Sequence, residues 1–361
     1  MTDFESESAS ESESESELAP RRRVMAIVRA MIGLGVGAVA VWVAIRSAGG
    51  FADAWVAVRG LDLVWLVPAF AVEAASYAVL GAKLRRLIGP EVVSGLEATE
   101  LGLVVSGFGL LTPASPAEGL AIAAGHLRRR GLPRRQVTMI FGYSEWFSTR
   151  VFLGLAAINL FAIAVIEKDP LIDLWPFVAA ALAILILLGA SARLAARPGT
   201  AERLSQMAGA FRRPSRRLSV EARRAAGAEW YREARAFVGS PRRRAALAAL
   251  TAIAVLADVA CLWFALRAAG AHVGFDVAML AITVAALSVL IPLVPGGLGI
   301  VEAAIPALTQ HFGVPFEQGL AAALAYRALG TFIPAGFGAL SIVHLRVSTN
   351  FGPPATAVVA V

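Results

Sequence analysis

Residues 292–345 read PLVPGGLGIVEAAIPALTQHFGVPFEQGLAAALAYRALGTFIPAGFGALSIVHL. An apolar run stops at Val294-Pro295-Gly296-Gly297-Leu298-Gly299, restarts as a short helix with Glu302, and stops again at Gly313-Val314-Pro315. It then resumes as a long helix holding Arg327 and Pro334. Proline removes a backbone donor and glycine is a poor helix former, so three glycines and a proline within residues 295–299 end a helix. Hydrocarbon cannot satisfy the freed backbone groups, so a break at membrane depth is buried in protein or lines a watery cavity. A carboxylate just past such a break, with an arginine in the next helix, is a frequent construction of membrane transport sites.

Composition agrees with a membrane setting. Of 361 residues, 58% are hydrophobic and only 16% are charged, against about a quarter charged in a soluble domain. Cys261 is the one cysteine, so no disulfide forms within the chain, and four scattered histidines give no metal-ligand spacing. No metal or cofactor is expected. The net charge of +7 averages two unlike parts. Residues 1–20 hold seven acidic side chains and no basic one, which leaves 33 basic against 19 acidic, or +14, for residues 21–361. That excess suits an anionic membrane face better than nucleic acid, for which no partner motif is present.

Residues 5–17 alternate Glu and Ser and are expected to be disordered. Arg21-Arg22-Arg23 precedes a first span at 24–45, whose 22 residues would cover about 33 Å. The arginines place the N-terminus in the cytoplasm. A second span, 62–82, returns inward to Lys83, Arg85 and Arg86. Residues 97–130 break at Thr112-Pro113-Ala114-Ser115-Pro116, continue as a short helix with Glu118, and end in basic residues. Basic flanks at both ends make this a re-entrant hairpin. A long helix at 136–166 contains Glu145 and Arg150, and spans at 174–190, 245–267 (with Asp258) and 316–345 follow. Residues 191–244 carry fourteen Arg and four Glu, with Leu218, Ala222, Ala226, Trp230 and Ala234 at four-residue spacing. Two readings stand for that segment, a basic amphipathic helix on the inner leaflet and a solvated linker.

Two pieces share their spacing. Pro113 to Gly131 and Pro295 to Gly313 are each eighteen residues, and Gly131-Leu132-Pro133 corresponds to Gly313-Val314-Pro315. Fourteen residues past these glycines lie Glu145 and Arg327. The repeat distance is 182 residues, and flanking charges give the halves opposite orientation. The expected architecture is all-α, with about six full spans and two re-entrant broken hairpins arranged as two inverted repeats. Its parts are an acidic tail (1–20), a first membrane repeat (21–173), a second (174–346) that includes the Arg-rich cytoplasmic linker 191–244, and a C-terminal tail (347–361).

PGGLGIVEAA followed by GVPFEQGLAAALAYRALGTFIP resembles the lysylphosphatidylglycerol synthase transmembrane region family, also called flippase-like integral membrane proteins. The family's Pro-Gly-Gly-x-Gly-x-x-Glu element falls on Pro295, Gly296, Gly297, Gly299 and Glu302. Its Gly-Val-Pro falls on Gly313, Val314 and Pro315, and its Tyr-Arg pair on Tyr326 and Arg327. In the first half, Glu145-Trp146 stands where the family has Glu-Arg, and Thr149-Arg150 where it has an Asp. The resemblance implies a membrane domain that moves lipids or lipid-linked head groups between leaflets. The aminoacyl-transfer domain of the full synthases has no counterpart in this sequence, so synthase activity is not implied.

An intramembrane ion costs roughly 2.5–3.5 kcal/mol on insertion scales and needs a partner. Glu302 is expected either to meet a substrate or to pair structurally with Arg327. Arg327 lies about 16 Å along its helix, near mid-membrane, and guanidinium matches a lipid phosphate. The expected substrate contacts are Glu302, Arg327 and Tyr326, with Glu118, Glu145, Arg150 and Asp258 lining the opposite side. Pro113, Pro116, Pro295, Gly296, Gly297 and Gly299 form the re-entrant loops. The chain is expected to be a multi-pass protein of the inner (plasma) membrane with both termini cytoplasmic, binding phospholipid or a lipid-linked substrate, and not an enzyme. No phosphate-binding Gly-Lys-Ser/Thr loop is present to couple ATP directly. Two other readings compete: an intramembrane lipid-modifying transferase, and a scaffold for cell-envelope enzymes.

Overall fold

The fold is that of a computed structural model, described for residues 46, 51–108, 116–166, 175–196, 237, 239–289, 297 and 299–351. The acidic tail, the expected span 24–45, Pro113, Pro295, Gly296 and most of the linker 191–244 lie outside the described residues. All regular elements among the described residues are helical: α1 (Phe51–Arg59), α2 (Leu63–Ile88), α3 (Gly95–Gly102), α4 (Pro116–Arg129), α5 (Arg134–Ile166), α6 (Trp175–Ala196), α7 (Pro241–Ala268), α8 (Phe275–Val289), α9 (Ile300–Gln310), α10 (Phe316–Arg327) and α11 (Ile333–Phe351). A π-helical turn at Leu103–Phe108 extends α3, and another at Ala328–Phe332 joins α10 to α11. Four described stretches are long and apolar enough to cross a membrane: Leu63–Ile88, Arg134–Ala164, Pro241–Ala268 and Phe316–Val347.

Local chemistry sets the boundaries. Asp62 caps α2 by accepting from the Val64 amide at 2.9 Å, and Ser240 caps α7 ahead of a proline in its first turn. Ser94 and Glu97 cap α3 reciprocally, at 3.1 and 3.2 Å. α11 continues to Phe351. Nothing in 347–351 stops a helix, whereas Gly352-Pro353-Pro354 follows at once. α6 runs to Ala196 and α7 starts at Pro241.

The 182-residue spacing reappears in backbone geometry. Gly131 and Gly313, which end α4 and α9, have φ of 90° and 77°. Behind them the Leu132 amide bonds to Leu127 O at 3.1 Å and the Val314 amide to Thr309 O at 3.2 Å, the six-to-one closure of a Schellman cap. Packing follows the same spacing. Leu84, Ala123, Leu132 and Ile140 belong to one apolar core, and Leu266, Ile305, Val314 and Ala322, each 182 further on, belong to the other.

The two cores meet along α2 and α7, which run antiparallel. At one end the Asp62 amide bonds to Ala268 O at 2.9 Å, and at the other Arg243 Nη2 donates to Arg86 O at 2.8 Å. The π turn after α3 lies backbone to backbone on α11. A Cβ on Gly107 would stand 2.6 Å from Pro334 O, and one on Gly338 would stand 2.5 Å from Leu103 O. Glycine permits this approach, which supplies dispersion contact where hydrocarbon solvent gives no hydrophobic drive. Large apolar side chains such as Ile158, Phe161, Ile186, Leu340 and Val343 face outward, as an apolar solvent allows.

Candidate functional site

Glu302 is the third residue of α9, where the first amides have no intrahelical acceptor. Its Oε2 accepts from the Gly299 amide at 2.7 Å. Gly299 has φ +84° and Gly297 φ +63°, a conformation that glycine enters without a Cβ penalty and that turns the chain into α9. The other carboxylate oxygen, Oε1, accepts from Arg327 Nε at 2.9 Å. Arg327 closes α10, and its Nη1 donates to Thr331 Oγ1 at 3.1 Å across the π turn. Glu302 and Arg327 are 4% and 5% exposed. The start of α9 and the guanidinium at the end of α10 are thus locked together inside the bundle.

Tyr326 and Arg327 are neighbours, about 100° apart around the helix, and they serve different partners. Tyr326 Oη donates to Asp258 Oδ1 on α7 at 2.9 Å. A Cβ on Gly330 would stand 3.5 Å from Glu73 Oε1 and 3.6 Å from a ring carbon of Tyr326, which puts Glu73 of α2 beside the Tyr326–Asp258 bond; Cys261 lies three residues past Asp258 on α7. Pro334 has no amide proton to give the carbonyl four residues back, that of Gly330. The Tyr77 hydroxyl takes that role instead, donating to Gly330 O at 3.4 Å. The helix locally widens, with the Ile333 amide bonded to Ala328 O. Such π turns frequently mark functional positions in helices.

The other expected contacts do not gather here. Glu118 on α4 and Glu145 on α5 are exposed. Arg150 turns toward α6, donating Nη2 to Leu188 O at 2.7 Å with its guanidinium 4.5 Å from the Trp146 ring. Of the four residues expected to line the opposite side, Asp258 alone reaches a residue of the C-terminal motif. Pro116 opens α4, and the glycines at 297 and 299 end the break before α9.

The structure adds polar groups that the motif reading did not select. Glu73 is the first, and an apolar span with one carboxylate was the available signal. Lys83, also buried, donates to Ser148 Oγ at 2.7 Å. Glu97 accepts from His126 Nε2 at 3.2 Å and from Arg130 Nη2. Burial holds the His126 imidazolium below the ordinary histidine value, with Glu97 opposing. Glu100 bonds His344 Nδ1 at 2.7 Å, and burial raises its carboxyl above the usual range. Among the described residues no group of three or more His, Cys, Asp or Glu is placed to hold a metal ion.

Comparison with curated proteins gives no match to this chain. The profile described as lysylphosphatidylglycerol synthase TM region matches residues 30–338, so the chain belongs to that family of integral membrane regions.

Proposed function

We propose that this protein moves a polar or anionic lipid, or a lipid-linked head group, between the leaflets without altering it chemically. The observation that carries this reading is the enclosed Glu302–Arg327 pair, built at the start of α9 inside an apolar bundle. A buried arginine bonded to a carboxylate is a receptor for an anion that competes with that carboxylate. A phosphate offers the guanidinium more acceptor oxygens than Glu302 now gives it. In this account the conformation described is the closed one, and phosphate entry exchanges Glu302 for the head group while the acyl chains stay in lipid.

Alternating access through two inverted repeats is the mechanism we infer. It is supported by the matched Schellman caps 182 residues apart, by the corresponding cores, and by the antiparallel contact of α2 with α7. The basic end of α2 and the basic start of α7 lie together through Arg86 and Arg243, which favours one cytoplasmic face there. On this reading the molecule has six spans and two re-entrant hairpins, sits in the plasma membrane with both termini inside, and uses its Arg-rich linker against the anionic leaflet.

The test is a leaflet-accessibility assay in proteoliposomes, with fluorescent phospholipids of several head groups and with wild type compared with Arg327→Ala and Arg327→Lys. Head-group-selective movement that Arg327→Ala abolishes and Arg327→Lys partly retains is the expected result. Absence of movement for every lipid, with folded wild-type protein confirmed, overturns the reading.

A further inference from the structure

Glu73 and Asp258 are two further intramembrane carboxylates, separate from the Glu302–Arg327 ion pair. Glu73 is 5% exposed, and its Oε2 has no hydrogen-bond partner among the described residues. The groups around the pair lie on α2, α7 and α10 and on the π turn. On α2 the titratable neighbour is Tyr77; on α7 they are Asp258 itself and Cys261; on α10 it is Tyr326. From the π turn come the Gly330 carbonyl and a backbone close to Glu73, since a Cβ on Gly330 would stand 3.5 Å from Glu73 Oε1. Tyr326 and Tyr77 donate to Asp258 and to Gly330 O, so neither hydroxyl proton is directed at Glu73 Oε2. The nearest arginine of the C-terminal motif, Arg327, is bonded to Glu302 and Thr331. No cationic side chain among the described residues is ion-paired with Glu73 or Asp258.

Two carboxylates sharing an apolar enclosure cannot both keep a negative charge without a counterion, because desolvation and mutual repulsion add. We propose that Glu73 and Asp258 form a binding site for one exchangeable monovalent cation, a proton or a sodium ion. Glu73 Oε2 is the unpartnered oxygen, and Asp258 is half-buried. The Gly330 carbonyl, released by Pro334, borders the same space. Occupancy of the site is therefore linked to the π turn that also carries Thr331, the partner of Arg327. The use of this cation to drive lipid movement rests on the transport reading above; its binding does not.

Infrared difference spectroscopy of the purified full chain reads the site directly. The observable is the C=O stretch of a neutral carboxyl at neutral pH in sodium-free buffer. We expect such a band in the wild type, its loss in Glu73→Gln, and a displaced band or titration in Asp258→Asn. Added sodium separates the two cations: a band that sodium removes assigns an alkali-ion site, and a band indifferent to sodium assigns a proton site. Absence of the band in sodium-free buffer, or a band that neither substitution alters, overturns the proposal. The wild-type spectrum alone can refute it, and Asp258→Asn assigns the band if Glu73→Gln does not fold. The outcome is independent of the lipid assay, so each reading can fail separately.

Discussion

Replacing Glu302 by Gln changes the site by one atom and one charge. Glu302 accepts two hydrogen bonds, from the Gly299 amide at 2.7 Å and from Arg327 Nε at 2.9 Å. A glutamine side chain has one acceptor oxygen, so one of those donors would then face its NH2 group. Arg327, 5% exposed, would keep Thr331 but lose the Glu302 carboxylate. Removing one member of a buried ion pair costs about 3–5 kcal/mol, whereas hydrogen bonds between membrane helices average only about 0.6 kcal/mol. The two figures are far enough apart to test. A double-mutant cycle of Glu302→Gln, Arg327→Met and the combination, followed by reversible unfolding in mixed micelles, should give a coupling above about 2 kcal/mol, more than a 25-fold change in the folding constant. The double variant should be more stable than the sum of the singles implies, because no buried charge is left alone. A coupling at or below the ordinary membrane hydrogen bond would refute the claim that a desolvated ion pair joins the broken helix to α10.

Three further outcomes are expected. Gly338→Ala should lower thermal stability by about 1–3 kcal/mol, the usual range for overpacking, since its Cβ would stand 2.5 Å from Leu103 O; Gly336→Ala, with nothing within 4 Å, should change it little in the same melting experiment. Gly313→Ala should cost about 1–2 kcal/mol by placing a side chain at φ +77°, and equal stability of this variant would argue against the left-handed cap of α9. The depressed His126 value means that the unfolded chain takes up a proton more readily than the native one. Stability should therefore fall as pH drops below the ordinary histidine range, and His126→Gln should flatten that slope in a denaturation series.

Much of the frame was legible in the chain itself. Gly299 and Gly313–Pro315 mark the ends of α9 because proline and glycine act on the backbone locally, whatever surrounds them. The same holds for the Gly131-Leu132-Pro133 turn, whose cap geometry repeats at Gly313. The length and apolarity of the long helices follow from a window of residues, and the Glu302–Arg327 pairing was among the readings open from sequence because an intramembrane charge needs a partner.

Side-chain company was decided only by the tertiary structure. Glu145 stands at the position of Arg327, fourteen residues past its glycine, and Arg150 lies in the same long helix, yet Glu145 is exposed and Arg150 bonds to α6. The face a helical residue presents depends on rotation about the helix axis, and that rotation is set by packing against neighbours distant in sequence. Glu73 shows the converse. It lies 185 residues from Asp258, and only the antiparallel packing of α2 on α7 brings the two carboxylates together. The sequence alone thus determined where the helices stop, because those stops are local backbone chemistry. Which charges share an enclosure was settled by the tertiary structure, because that depends on how separately formed helices turn toward one another.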